Sequence, residues 1–367
     1  MKISRQQKFN FYKVGLITLG FVAINIVLSF LNYAVLNSPY SLGPSPLFNA
    51  TYYLLTNILV GVIAGLLGGV VLVTVNGQIF RKRSFKFAML TTLFTYVFIF
   101  ILVTLVALFT NLIAEHGLDG ITYDIIKIGL GFVFNWTLIS YFILWGGIIL
   151  LTLFLLQVND KFGPGILLKF LAGNYHQPKK EERIFMFMDM RSSTSIAEKI
   201  GNEKYFYLLN DLFSDITDTI LNNEGEIYQY VGDEIVISWT LKKGIRNANC
   251  LRCFTQIQEK LTELAPIYQK EYELMPEFKA GIHSGLVMAG EIGVIKKDII
   301  FSGDVLNTTA RIQELCNQYS VDILISKETF ELLSDTDGYT LIPMGSIELR
   351  GKKTKIELNT IKHSEII

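Results

Sequence analysis

Ile227–Trp239 reads IYQYVGDEIVISW. Two runs rich in β-branched and aromatic residues, Glu226–Val231 and Ile235–Trp239, flank Gly232-Asp233, which predicts a tight β-hairpin carrying a carboxylate at its tip. Taken alone, such a turn only reverses the chain. Its weight grows with a second acid upstream. Arg183–Asp189 (RIFMFMD) reads as an apolar strand ending in Asp189, followed by the small polar loop Met190-Arg191-Ser192-Ser193-Thr194 and then a helix. Two strand-end carboxylates can share a metal site, and the N–H groups of Ser192, Ser193 and Thr194 can hold phosphate at a helix N-terminus.

Outward from these acids the pattern alternates. A helix over Thr194–Asn222, with apolar Ile196, Ile200, Phe206, Leu209, Phe213, Ile216 and Ile220, leads into the hairpin, and a second helix spans Gly244–Lys270. Strands follow at Phe278–His283, Leu286–Ala289 and Ile299–Phe301, then a helix over Val305–Gln318. Asp322–Ile325, a short helix and two closing strands, Leu341–Leu349 and Lys355–Ile361, complete the chain. This order is a ferredoxin-like α/β plan with appended strands, and it shows no internal repeat.

The other half of the chain is of a different kind. Hydrophobic residues make up 50% of the sequence and mean hydropathy is +0.38, more than an ordinary soluble enzyme carries. Val14–Leu36, Thr51–Val75, Phe87–Ala114 and Ile128–Val158 each have the ~20 residues that cross ~30 Å of hydrocarbon as a helix. No small-residue cleavage site follows the first, so all four read as permanent spans in contact with membrane lipid. Lys2, Arg5, Lys8 and Lys13 precede the first span and Arg81, Lys82, Arg83 and Lys86 separate the second from the third, whereas Asn37–Ala50 has no basic residue. That asymmetry orients both termini to the cytoplasm at the cell membrane.

Asn25, Asn57 and Asn135 are polar intruders within the spans, read as interhelical bonds or, for Asn25 and Asn135, as ligand sensors. Gly61, Gly65, Gly68 and Gly69 stud one face of the second span and permit close helix packing. No charge lies deep in a span, which argues against a channel or transporter. The chain thus divides into a membrane domain (1–158), a Gly/Pro-punctuated connector (159–182), read equally as a tether or a coupling element, and a soluble domain (183–367).

Net charge is zero, with 33 basic and 33 acidic residues, and the soluble half has no basic stripe, so nucleic acid is not a partner. Cys250, Cys253 and Cys316 all fall in that half, an odd count that suits a reducing compartment. The C-x-x-C of Cys250 and Cys253 lies in an amphipathic helix without a second ligand pair, and reads as packing rather than zinc.

In the helix over Val305–Gln318, Asn307 and Arg311 are four residues apart, on one face, where they can bond a polyphosphate together. Asp189 in FMFMDMRSST, Gly232-Asp233 in YQYVGDEIV, Gly281-Ile282-His283-Ser284-Gly285 followed by Gly290, and Ser302-Gly303-Asp304-Val305-Leu306-Asn307 through Arg311 resemble, in order and spacing, the catalytic domain of class III nucleotidyl cyclases. The resemblance covers Arg183 to about Ile361.

It implies a nucleotidyl cyclase, adenylate cyclase by preference, acting on a nucleoside triphosphate. Asp189 and Asp233 correspond to the aspartates that hold two Mg²⁺, or Mn²⁺ in their place, with the backbone carbonyl of Met190 completing a shell. One ion activates the ribose 3′-OH and the other grips the triphosphate. Asn307 corresponds to the asparagine that orients the ribose, Arg311 to the arginine that meets charge on the α-phosphate, and Lys352 to a phosphate-binding lysine, with Arg350 as competitor. The GIHSG block is expected to form a turn beside the site, with His283 structural. Because the metal aspartates and the Asn/Arg pair reach one nucleotide from opposite subunits in this family, the resemblance also implies a head-to-tail homodimer with two composite sites.

Base choice is where the match departs. Adenine-selecting members have Lys four residues before the second metal aspartate and Asp or Thr seven before the asparagine; here those positions are Gln229 and Ile300. ATP is favoured, with GTP or a pyrimidine triphosphate open. So is a cyclase-like receptor without turnover.

Overall fold

The computed structural model describes residues 5–38, 49–75, 85–117, 136–162, 175–294, 297–348 and 355–363, together with 123, 126, 127 and 131. The chain forms two compact units, Met1–Phe162 and Gly163–Ile367.

The first unit is built from α1 (Arg5–Leu36), α2 (Ala50–Val70, extended by a π turn over Val71–Val75), α3 (Phe85–His116) and α4 (Trp136–Phe162). Within them Asn10–Leu36, Ala50–Val73, Met89–Thr110 and Leu138–Leu156 are long and apolar enough to cross a membrane. The expected start of the fourth span, Ile128, and Asn135 lie outside the described residues. The glycine face does what its spacing predicts: a Cβ on Gly61 would meet Val22 Cα at 3.0 Å, and one on Gly65 would meet Thr18 Cα at 2.7 Å. The helix backbones therefore approach along this seam more closely than any side chain would allow. The asparagines behave otherwise than expected. Asn25 and Asn57 donate to the carbonyls of Phe21 and Tyr53 on their own helices, whereas Asn32 crosses between helices to the hydroxyls of Tyr53 and Tyr141.

The second unit runs β1 (Lys179–Met190), α5 (Ser193–Ile200), α6 (Asn202–Asn222), β2 (Glu226–Val231), β3 (Glu234–Thr240), α7 (Leu241–Ile245), α8 (Asn249–Tyr272), β4 (Phe278–Ile292), β5 (Asp298–Ser302), α9 (Asp304–Tyr319), β6 (Ile323–Ser326), α10 (Lys327–Glu331), β7 (Tyr339–Glu348) and β8 (Lys355–His363). The sheet order is β2-β3-β1-β4-β6-β8-β7, with β5 paired to β4. All pairs are antiparallel except β4 with β6. β1 through β4 form the ferredoxin-like core, extended by β6–β8.

Alternation along β1 decides which face each residue serves. Ile184, Met186, Met188 and Met190 join Leu208, Leu212, Ile216 and Ile220 of α6 and Phe254 and Ile257 of α8 in the main core. The alternate residues Phe185 and Phe187 pack with Val287 and Val305 beneath α9. Asp189 follows the odd set and so emerges on the α9 side.

Four expectations need correction. The helix over Thr194–Asn222 is two helices, because Gly201 takes φ +82° and ψ 153° and breaks the hydrogen-bond ladder. The helix from Gly244 is interrupted at Asn247 and Ala248, both with positive φ, and α8 starts at Asn249. GIHSG is no turn, since it lies within the continuous strand β4, paired to β1 throughout. Its Gly281 instead makes room for α9: a Cβ there would stand 2.5 Å from Gln313 N and 2.8 Å from Thr309 O. Finally, β1 begins at Lys179 inside the expected connector, because Lys179–Glu182 pair with Leu286–Ala289 and Glu181 forms an ion pair with buried Arg183 at 2.8 Å.

Candidate active site

Strand register brings the two acids together. Asp189, at the end of β1, stands opposite Glu234 of β3 on one side and Lys279 of β4 on the other. Asp233 precedes Glu234 in the hairpin turn, where Gly232 has φ +64°, a left-handed conformation that glycine adopts without Cβ strain. The hairpin thus delivers the second carboxylate to the first.

The charges interact strongly. Asp189, 24% exposed, forms an ion pair with Lys279 Nζ at 3.0 Å and accepts from Gln313 Nε2 at 3.2 Å. Burial, and next the carboxylate of Asp233, raise the Asp189 pKa above the ordinary aspartate value against the opposing pull of Lys279. Glu234 is pushed up to about 7, by desolvation first and then by Asp189 and Asp233. Two adjacent carboxylates that resist joint ionisation, relieved on one side by an ammonium, are a set of hard oxygen donors with room for positive charge. The residues fit Mg²⁺. Among the described residues no group of three or more His, Cys, Asp or Glu is arranged to hold a metal, and the carboxylates that meet here are Asp189 and Asp233, with Glu234 beside them. The Met190 side chain is buried in the core, which leaves only its carbonyl for such a role.

Around this pair, Ser192 takes φ 55° before α5 and does not cap it with its side chain. Ser193 hydrogen-bonds Tyr205, whose hydroxyl pKa is raised by burial and then by the nearby charge of Asp233. Thr194 is exposed. Arg191, the loop's cation, is drawn away to Val321 O at 2.7 Å and Asp322 Oδ1 at 2.8 Å.

Asn307 and Arg311 are on a different side of α9. Its inner face, with Val305, Thr308, Thr309, Ile312, Gln313 and Cys316, is buried. Asn307 is exposed and Arg311 partly exposed, and at 100° per residue Arg311 lies roughly 160° around the axis from Gln313. Gln313, which bonds Asp189, and Arg311 therefore lie on nearly opposite sides of this helix.

Gln229 is exposed on β2 next to Tyr228, and Ile300 lies on β5 next to Phe301. The tilted rings of Tyr228 and Phe301 meet at 5.0 Å, and the Phe301 N–H donates to the Tyr228 hydroxyl, which brings the two strands together. His283 is 5% exposed and bonded to Ser326 Oγ through Nδ1, as a structural residue would be. Lys352 and Arg350 lie outside the described residues.

Sequence reasoning missed Lys279, Gln313, Glu234 and Tyr205. Only the first three had any signal, and that signal is strand register and helix phase relative to Asp189.

A mixed sheet with two strand-end aspartates side by side and a helix laid across β4 is the frame on which the comparisons bear. Residues 175–362 match the family described as adenylate and guanylate cyclase catalytic domain, and the chain belongs to that family. Adenylate cyclase 2 of Rhizobium meliloti (strain 1021) is 36% identical over 204 residues, 56% of this chain and 56% of its own length. Adenylate cyclase of Anabaena cylindrica is 28% identical over 184 residues, 48% of this chain and 36% of its own. The chain thus spans little more than half of the first of these curated relatives and less of the second. Among solved structures, a bacterial light-regulated adenylyl cyclase shares the fold at 19% identity, with a TM-score of 0.54 over 64% of this chain and 67% of that one.

Proposed function

We propose that the chain converts ATP to 3′,5′-cyclic AMP and pyrophosphate at two sites shared between the protomers of a homodimer. The observation that carries this reading is the division of the site: Asp189 and Asp233 meet at one strand end, while Asn307 and Arg311 point outward from α9. A second copy supplies what one chain lacks.

Asp189, Asp233 and the Met190 carbonyl would hold two Mg²⁺, and the same oxygen set accepts Mn²⁺. When bound, the metal lowers the pKa of the ribose 3′-OH and neutralises the triphosphate. The N–H groups of Ser192, Ser193 and Thr194 bind phosphate oxygens at the start of α5. Asn307 orients the ribose, and the planar guanidinium of Arg311 donates to the charge that grows on the α-phosphate. Lys352 adds a phosphate contact. Gln229 meets the adenine edge with both a donor and an acceptor, and Ile300 contacts the ring. The identity to an adenylate cyclase supports ATP.

The four apolar helices lie in the cell membrane among its lipids, with both termini cytoplasmic, and the segment ahead of β1 links the membrane domain to the cyclase domain, which includes Lys179–Glu182, and passes its rearrangements on. Given ATP, GTP, CTP and UTP separately with Mg²⁺, the purified full-length protein is expected to form cyclic AMP fastest. Cyclic GMP as sole product overturns the base assignment. Gln229 and Ile300 favour a second reading, a receptor without turnover, and the absence of product from every nucleotide with either metal would establish it.

A further inference from the structure

Residues from each of the four long helices line a half-open cavity of about 270 Å³. Its wall mixes aliphatic residues with the rings of Phe21, Tyr96, Phe100 and Trp145, and Phe21 stacks on Trp145 at 5.0 Å. Set into that wall are Asn25, Asn57, Tyr53 and Tyr141. Among the described lining residues none is acidic or basic, which suits a neutral molecule.

The polar groups are arranged for a particular functional group. Asn25 is 4% exposed and donates one N–H to Phe21 O at 2.9 Å, and Asn57 does the same to Tyr53 O at 2.9 Å. Each amide keeps an acceptor oxygen and a second N–H for whatever enters. Above them Asn32 fixes the hydroxyls of Tyr53 and Tyr141 at 3.1 and 2.6 Å. A hydroxyl, which donates and accepts, complements an amide with both capacities. Hydrogen-bonding capacity left over in an apolar setting is costly unless met, which favours a partner that both donates and accepts.

Size limits the choice. At ~30 Å³ per water-sized volume the cavity seats a group of on the order of ten heavy atoms. We propose that this cavity is a binding site for a neutral, membrane-soluble aromatic alcohol, with the ring against Phe21, Phe100 and Trp145 and the hydroxyl at Asn25 and Asn57. The assignment is independent of the cyclase reading.

Trp145 in the wall makes the site readable. Full-length protein in lipid nanodiscs is titrated with 4-bromobenzyl alcohol, whose bromine quenches tryptophan, and with hydroxyl-free 4-bromotoluene; Trp145→Phe isolates the signal of Trp145. The alcohol is expected to quench Trp145 saturably, bromotoluene only in linear proportion to its partition into lipid. Ala64→Phe, which fills the cavity, should abolish saturation, and Asn57→Leu should weaken binding at least fivefold. Val103→Phe, a plug from another helix, replaces Ala64→Phe if that variant does not fold. Linear quenching by both probes, or saturation undiminished by the folded plug variant, overturns the site. Equal saturable binding of both probes, or unchanged affinity in Asn57→Leu, overturns the hydroxyl assignment.

Discussion

Gly281→Ala is the smallest change that separates α9 from the sheet. The added Cβ would lie 2.5 Å from Gln313 N, 2.8 Å from Gln313 Cα and 2.8 Å from Thr309 O. All three are atoms of the helix backbone and cannot rotate aside. Ordinary contact begins near 3.5 Å, so α9 must retreat by about 1 Å, and overpacking of this kind costs ~1–3 kcal/mol. A domain with ~5–15 kcal/mol of stability survives that loss, with Tm lower by ~2–10 °C. Activity should suffer more than stability. The same helix carries Gln313, which bonds Asp189, and also Asn307 and Arg311, and a displacement of ~1 Å at reacting groups costs ~10²-fold in rate. Cyclic AMP formation at saturating Mg²⁺ and thermal melting are measured together, with Gly290→Ala as comparator, since its Cβ would come only within 3.3 Å of Pro178. Gly281→Ala with wild-type rate and wild-type Tm would refute the packing of α9 on β4.

Two further outcomes follow from the charges and thiols. Glu234 titrates at about 7 in the folded protein against 4.5 ordinarily, so its ionisation disfavours folding: its contribution is fully present below pH 4.5 and is lost as pH rises to about 7. The whole shift corresponds to ~3 kcal/mol, which solvent screening of this half-buried group reduces to ~1. Glu234→Gln in EDTA should therefore melt ~2–4 °C higher than wild type at pH 8 and at the same temperature at pH 4.5; an equal gain at both pH values contradicts the assignment. Cys250, Cys253 and Cys316 are buried and free, and burial pushes Cys250 and Cys316 up to about 12. At pH 8 only ~10⁻⁴ of such a thiol is ionised, so iodoacetamide should label none in the native protein within an hour and all three in denaturant.

The hairpin at Gly232-Asp233, the apolar strand ending in Asp189 and the Asn307/Arg311 face were legible because each rests on local pattern: turn chemistry, alternation and helical phase. The four long apolar helices were legible from length and composition together. What was hidden depends on neighbours distant in sequence. Gly281 and Gly285 look like turn residues until α9 is laid across β4, where Gly281 faces Gln313 N and Gly285 faces Val305. Lys279 is one lysine among many until register sets it opposite Asp189. Asn25 reads as a link between helices, yet its N–H turns back to Phe21 O and the link is made by Asn32. The break at Gly201 was visible as a glycine, but the amphipathic period continues across it and concealed the two helices.

The shared site is tested most directly by complementation. Arg311→Ala should reduce cyclic AMP formation by at least ~10²-fold, since loss of one charge-stabilising donor costs ~3–4 kcal/mol, and Asp233→Ala should be inactive through loss of a carboxylate proposed to hold the metal. Mixed and allowed to exchange subunits, the two inactive proteins should recover activity, because the heterodimer assembles one site with Asp189 and Asp233 from one chain and Asn307 and Arg311 from its twin. Proven exchange with no recovery would contradict a site built from two copies.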